Sequence, residues 1–144
     1  MIYHVVERDL MTVPQGYSLA HCISADYALG AGVAKQIDKA YGMRNILRSQ
    51  VPQDTTWPCC IMVQNVFNLV TKEKYWHKPT LNSLRESLLA MKKIVIEGDI
   101  KKIAMPKIGC GLDRLNWIDV SRMIQEIFSD VDVEIMVCVL PGEA

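Results

Sequence analysis

Residues Ile103-Ala104-Met105-Pro106-Lys107-Ile108-Gly109-Cys110-Gly111-Leu112-Asp113-Arg114-Leu115-Asn116-Trp117 run from an apolar stretch through a glycine-rich turn to one acid and then a helix start. That order suits a phosphate-binding loop with a built-in acid or base. The glycines on either side of Cys110 carry no Cβ, so the backbone can come close to a ligand and present N–H groups to it. Asp113 then stands where the ligand must lie. A second cluster, Gly30-Ala31-Gly32, follows the apolar run ending near Ile23 and opens a helix through Val33. N–H groups at a helix start form a ready anion site, and two such loops in one small chain point to a pyrophosphate or a nucleotide diphosphate. Either loop alone reads equally as a tight strand-to-helix turn.

His21 and Cys22 raise a second chemistry, a cysteine nucleophile with a histidine base. Neighbours on a strand point to opposite faces, so these two cannot act as a pair. Cys110 sits in the loop itself, but nothing nearby supplies the cationic setting a reactive thiolate needs. Five cysteines at 22, 59, 60, 110 and 138 are an odd number with no zinc-like spacing. Reduced thiols in a reducing cytosol are the expectation, with no metal and no cofactor.

The elements that must position these groups follow from hydrophobic period and breakers. Ile2 to Val6 and Tyr17 to Ile23 read as strands, the second bounded upstream by Pro14 and Gly16. Val33, Ile37 and Tyr41 recur at four-residue steps, an amphipathic helix stopped by Gly42, and helical turns continue from Met43 to Gln50. Cys59 to Val63 and Val66 to Thr71 are β-prone runs around Gln64-Asn65, a hairpin whose turn lacks the usual glycine. Leu81, Leu84, Leu88, Met91 and Val95 define the longest helix, ending at Gly98. Lys102 to Pro106 is the next strand. Val120, Met123, Ile124, Ile127 and Phe128 stripe the last helix, with Asn116 as its N-cap and Asp119 in its first turn, and Val133 to Leu140 closes the chain as a strand.

Strands alternating with crossover helices imply an α/β fold, a mixed and mostly parallel sheet of about six strands between helices. The 144 residues read as a single domain over 1–144, with no repeat or linker. Both glycine loops follow strand ends, where ligands of such sheets bind. Sixteen basic and sixteen acidic residues balance, so a polyanion-binding surface is unsupported by the totals. With no apolar run of membrane-spanning length and no signal-peptide design at the N-terminus, we expect no membrane association and a cytoplasmic, or in a eukaryote nucleocytoplasmic, monomer.

Four segments of the chain resemble the macrodomains, within them the terminal ADP-ribose protein glycohydrolase type. They are Arg8-Asp9-Leu10; Ser18 to Ser24 with Gly30-Ala31-Gly32-Val33-Ala34; Thr71-Lys72 with His77-Lys78-Pro79-Thr80; and Met105 to Trp117. The last is highly specific and the first weak alone. Arg8 departs from the glycine that many members carry before the acid, which touches the adenine end of the pocket only.

The resemblance implies a macrodomain fold and a site for ADP-ribose, with ADP-ribosylated protein or DNA as the partner. Asp9 would accept from the adenine amino group, which offers only donors there, with Leu10 beside the base and Leu140 walling the pocket. As residues alone, Asp9 is equally a solvated or N-capping acid, and Leu140 equally a core side chain. Ser24 would place a hydroxyl near the phosphates. Gly30, Ala31, Gly32 and Val33 would cradle the pyrophosphate, and Ile108, Gly109, Cys110, Gly111 and Leu112 would wrap the diphosphate and distal ribose.

Lys72 and Asp113 are the catalytic candidates. In the resembled glycohydrolases a lysine at the place of Lys72 attacks the anomeric carbon of the distal ribose, and an acid at the place of Asp113 resolves the adduct. An amine is nucleophilic only when neutral, so a nearby base is required. An acid so placed also holds the ammonium charged, giving a paired resting state. Spacing alone makes Lys72-Glu73-Lys74 an ordinary charged strand end. The expected activity is removal of mono- or terminal ADP-ribose from acidic residues, and from nucleobases as an extension. Hydrolysis of small derivatives (O-acyl-ADP-ribose, ADP-ribose 1″-phosphate) is the nearest alternative. A non-enzymatic ADP-ribose reader would need the glycine loops but neither Lys72 nor Asp113. Tyr75, Trp76 and His77 belong to the rim of the site or to loop packing.

Overall fold

The computed structural model describes residues 1–52 and 57–142. Its elements are β1 (Ile2–Glu7), a 3-10 turn (Leu10–Thr12), β2 (Ser18–Ser24), α1 (Gly32–Tyr41), α2 (Met43–Gln50), β3 (Cys59–Val63), β4 (Val66–Lys72), α3 (Leu81–Glu97), β5 (Lys102–Met105), α4 (Trp117–Phe128) and β6 (Glu134–Val139). The six strands form one sheet in the order β1-β6-β5-β2-β4-β3. Five are parallel, and β3 runs antiparallel to β4. This is the mixed, mostly parallel α/β sheet that the alternation of periods predicts.

Alternation along each strand divides the core in two. Phe67, Leu69, Ile103, Met105, Ile135 and Val137 meet the buried stripes of α3 and α4 on one face. Leu19, Ile23, Val66, Val70 and Ala104 meet Ile37, Met43 and Leu47 of α1 and α2 on the other. Vicinal Cys59 and Cys60 separate between the two clusters, as strand geometry requires. All five cysteines are free. Among the described residues no helix is long and apolar enough to cross a membrane.

Local signals explain the boundaries. Gly42 takes a left-handed φ of +65° that ends α1 and begins α2. The β3 and β4 hairpin turns without glycine because Gln64 and Asn65 both adopt positive φ, +49° and +64°. Asn65 recovers that cost by accepting from Ser18 Oγ at 2.6 Å and donating to Tyr17 O at 3.3 Å, which docks the turn on the start of β2. Thr80 caps α3 reciprocally with Ser83, at 3.0 and 2.9 Å. Leu81, at the first position of α3, is exposed, and the buried stripe starts at Leu84. At the far end Gly98 stays right-handed, and Asp99 makes the left-handed reversal with a φ of +50°.

His21 lies 1% exposed at the centre of the sheet and bonds Asn68 Oδ1 at 2.6 Å, while its Nδ1 has no partner. Burial lowers its pKa to about 4, against a smaller opposing pull from the Asn68 bond. The unfolded chain therefore binds a proton near pH 6.5 that the folded chain refuses until about pH 4. Stability is lost as pH falls through that window. Between pH 7 and pH 5 this should remove roughly 2 kcal/mol. Urea titrations of wild type and His21→Gln, which keeps a donor but does not titrate, check it. Equal losses in both would rule the histidine out as the cause.

Candidate active site

The strand order decides where the site lies. After β2 the chain crosses through α1 and α2 toward β4 on one side, and after β5 it crosses through α4 toward β6 on the other. Neighbouring strands whose connections leave in opposite directions open a crevice at their carboxyl ends. The Gly30 to Gly32 loop and the Gly109 to Gly111 loop border that crevice from its two sides.

The first loop keeps its backbone donors available. Helix α1 starts behind Ala31 with no side-chain cap and no acid in its first turn, so its leading N–H groups are not claimed by the chain's own carboxylates. Asp26 shapes the approach. Its Oδ1 accepts from Ser24 Oγ at 2.6 Å and from the Ala28 amide at 3.2 Å. Tyr27 and Leu29 are buried at positive φ, +54° and +43°, and such conformations persist only where the surroundings over-determine them.

The second loop is bonded into itself. Cys110 N–H donates to Lys107 O at 3.2 Å, Arg114 N–H to Gly111 O at 3.1 Å, and Leu115 N–H to Gly109 O at 2.7 Å. Gly109 is required on two counts. Its φ is +71°, and a Cβ there would sit 3.0 Å from Leu115 Cδ1 and 3.3 Å from Leu84 Cδ2. Gly111 is different: a Cβ would meet nothing within 4 Å, so its backbone borders open space. The two loops approach each other at Gly32, where a Cβ would lie 3.7 Å from Leu112 Cδ1.

Lys72, the last residue of β4, reaches across the end of β2 to Asp113. Its Nζ donates to Asp113 Oδ1 at 2.7 Å, and each side chain is 14% exposed. Such a pair joins an amine to a carboxylate close enough to exchange a proton, in a place shielded from bulk water. The thiols nearby are poor competitors. Burial raises Cys22 far above the ordinary thiol range, with a backbone hydrogen bond from Gly109 opposing it, and pushes Cys110 up to about 11, with Lys107 opposing. Both stay protonated at neutral pH.

The remaining candidates are placed as follows. Asp9 is exposed after β1, and its Oδ1 accepts from the Met11 amide at 2.9 Å, capping the 3-10 turn. Leu10 is 5% exposed and packs in the core cluster over α1 and α2, because the 3-10 turn directs it inward. The ends of β1 and β6 adjoin, with Arg8 N–H donating to Val139 O at 2.9 Å, so Asp9 and the half-exposed Leu140 flank one corner of the rim. Ser24 is buried, its hydroxyl given to Asp26. Ile108 is 2% exposed and Val33 half-buried, and both support their loops from below. Tyr75 and Trp76 stand 63% exposed on the rim, edge to face at 5.1 Å.

Two residues were given no role by the sequence, although Lys78 stands in one of the segments that carry the resemblance. Asp26 had a local signal, an acid two residues beyond a serine at a strand end, which is turn-forming spacing. Lys78, whose Nζ donates to Leu112 O at 2.7 Å, had none, because its partner lies 34 residues away.

A crevice between diverging crossovers, bordered by two glycine loops in a six-stranded sheet, is that of a macrodomain. The macrodomain of Mycobacterium tuberculosis DarG matches with a TM-score of 0.86 at 19% identity, covering 98% of this chain and 99% of its own. Thermosipho africanus DarTG in complex with ADP-ribose matches with a TM-score of 0.79 at 15% identity, over 100% of this chain and 43% of its own. In sequence, human ADP-ribose glycohydrolase OARD1 is 40% identical over 138 residues, 94% of this chain and 90% of the human protein. The chain belongs to the macrodomain family of ADP-ribose glycohydrolases. No protein-family model matches it.

Proposed function

We propose that this protein binds ADP-ribose and hydrolyses its bond to acidic side chains, releasing mono-ADP-ribose or the terminal unit from modified protein. The Lys72 and Asp113 pair at 2.7 Å, at the meeting point of two anion-binding loops, carries this reading. A binding module would need the loops alone.

In the proposed reaction the diphosphate lies between the α1 N-terminus and the Gly109 to Gly111 backbone, and adenine lies toward Asp9 and Leu140. The distal ribose then reaches Lys72. Asp113 takes a proton from the Lys72 ammonium, and the freed amine attacks C1″ as the bond from C1″ to the modified carboxylate breaks. The leaving carboxylate keeps the electron pair, so it needs no strong acid. Water then adds at C1″ as the C1″–N bond of the secondary ammonium adduct breaks. The amine leaves with the electron pair and regains its third proton from Asp113, and the proton shed by the water passes to solvent, matching the charge of the released carboxylate. Cleavage from a nucleobase would use the same two groups.

The chain would act as a monomer in the cytoplasm, where a reducing compartment suits five free cysteines. Purified protein incubated with a glutamate-linked ADP-ribosylated target should release free ADP-ribose, and calorimetry should detect ADP-ribose binding. Absence of binding would overturn the assignment of the crevice. Binding without release from this target, but with turnover of O-acyl-ADP-ribose or ADP-ribose 1″-phosphate, would move the substrate to small derivatives.

A further inference from the structure

The segment between β4 and α3 touches both glycine loops. At one point the Tyr75 amide donates to Asp26 Oδ2 at 3.1 Å, and Asp26 is the residue that organises the loop before α1. At the other, Lys78 Nζ donates to Leu112 O at 2.7 Å. Between them the Lys74 amide bonds His77 Nδ1 at 3.3 Å, and the His77 amide donates to Lys74 O at 3.0 Å, so residues 74 to 77 form a closed turn. The Thr80 and Ser83 capping box then anchors the segment to α3. Lys78 therefore projects from a braced support.

The carbonyl it holds is a particular one. In the second glycine loop the Lys107, Gly109 and Gly111 carbonyls accept amides of the loop itself, and Ile108 O accepts from Cys110 Sγ at 3.3 Å. Leu112 O is taken by Lys78. That oxygen belongs to the peptide joining Leu112 to Asp113, so fixing it fixes the backbone from which the Asp113 carboxylate springs. One residue beyond Asp113, Arg114 sits at a positive φ of +62°, a conformation that needs outside support in a residue with a side chain. An ammonium donating to a carbonyl is a charge-assisted bond, stronger than a neutral one.

We propose that Lys78 is a positioning residue for catalysis. It latches the Leu112 carbonyl so that Asp113 stays aimed at Lys72 when ligand enters and the resting pair must open. The proposal rests on the reading of Lys72 and Asp113 given above. Lys78 acts on the reactive end and not on affinity, because the bond runs to protein backbone and leaves the phosphate-facing amides unchanged. It also ties the rim that carries Tyr75 and Trp76 to the reactive loop.

The test compares wild type, Lys78→Met and Lys78→Arg for single-turnover release from the glutamate-linked target, for ADP-ribose affinity by calorimetry, and for melting temperature. Misplacement of a catalytic group by a fraction of its reach costs about tenfold to a hundredfold in rate. Lys78→Met should show that loss with ADP-ribose affinity changed by less than about threefold, a split that simple destabilisation does not produce. Lys78→Arg, which can still donate to the carbonyl, should recover most of the rate. Unchanged release in Lys78→Met overturns the proposal. So does a fall in affinity parallel to the fall in rate, which would make Lys78 a ligand contact, and so does failure of arginine to rescue. Lys72→Ala, run alongside, separates the two levels: if it stays active, the underlying mechanism has failed, and if it is dead while Lys78→Met is not, only the latch has failed.

Discussion

Lys72→Ala should abolish release of ADP-ribose from a glutamate-linked target, by at least about a thousandfold, a change in barrier of about 4 kcal/mol. The magnitude follows from chemistry. Without the amine there is no covalent route, and the residual rate is that of water attacking a bound substrate. ADP-ribose binding should be nearly kept, because in the proposed pose loop and helix amides, and not Lys72, hold the diphosphate. Folding needs a separate control, since removing Lys72 leaves Asp113, only 14% exposed, without its cation. Lys72→Arg supplies it. A guanidinium restores the charge partner and stays protonated, so it cannot attack C1″. Both variants should therefore be inactive, with the arginine form close to wild-type melting temperature. Full release by either would sink the lysine mechanism.

Asp113→Asn should divide the reaction at its midpoint. Asparagine keeps an oxygen in place for Lys72 Nζ but can neither take nor return a proton. Loss of a positioned acid or base costs about a hundredfold to ten-thousandfold. If resolution of the adduct depends on Asp113 more than its formation does, the lysyl adduct accumulates. Intact mass spectrometry of Asp113→Asn after incubation with modified target should show a covalent ADP-ribosyl increment. The increment should vanish in Lys72→Arg/Asp113→Asn, which locates it on Lys72. An increment that persists in the double variant would place the attachment elsewhere. Turnover at the wild-type rate in Asp113→Asn would remove the carboxylate from the mechanism.

Why these residues could be picked out at all differs from case to case. The glycines announced themselves, since Gly109 has both a left-handed φ and no room for a Cβ, and such positions demand glycine in the sequence. The cysteine hypothesis could be set aside early because strand alternation separates His21 from Cys22, and burial of the thiols gives the same result in three dimensions. Leu10 shows the opposite. Nothing local to a leucine after a charged bend says which way it faces, and a 3-10 turn capped by Asp9 turns it into the core. Lys72 had no local mark whatever, and the family resemblance, not spacing, singled it out.

By itself the chain's order of residues determined the elements and their turns, because a helix stripe, a strand alternation and a left-handed glycine are all properties of near neighbours. The hairpin at Gln64 and Asn65, the Gly42 break between α1 and α2 and the Asn116 cap of α4 are of this kind. Tertiary structure alone decided that β2 and β5 lie side by side with their crossovers diverging. Buried parallel strands are apolar on both faces and carry no mark of which neighbour they will choose. From that pairing, together with the pairing of β2 and β4, follow the meeting of the two glycine loops, the 41-residue reach from Lys72 to Asp113, the 34-residue reach from Lys78 to Leu112 and the 49-residue tie from Asp26 to Tyr75. Side chains so far apart in the chain meet only where backbone pairing brings their strand ends together, and the chemistry of this crevice is made of such meetings.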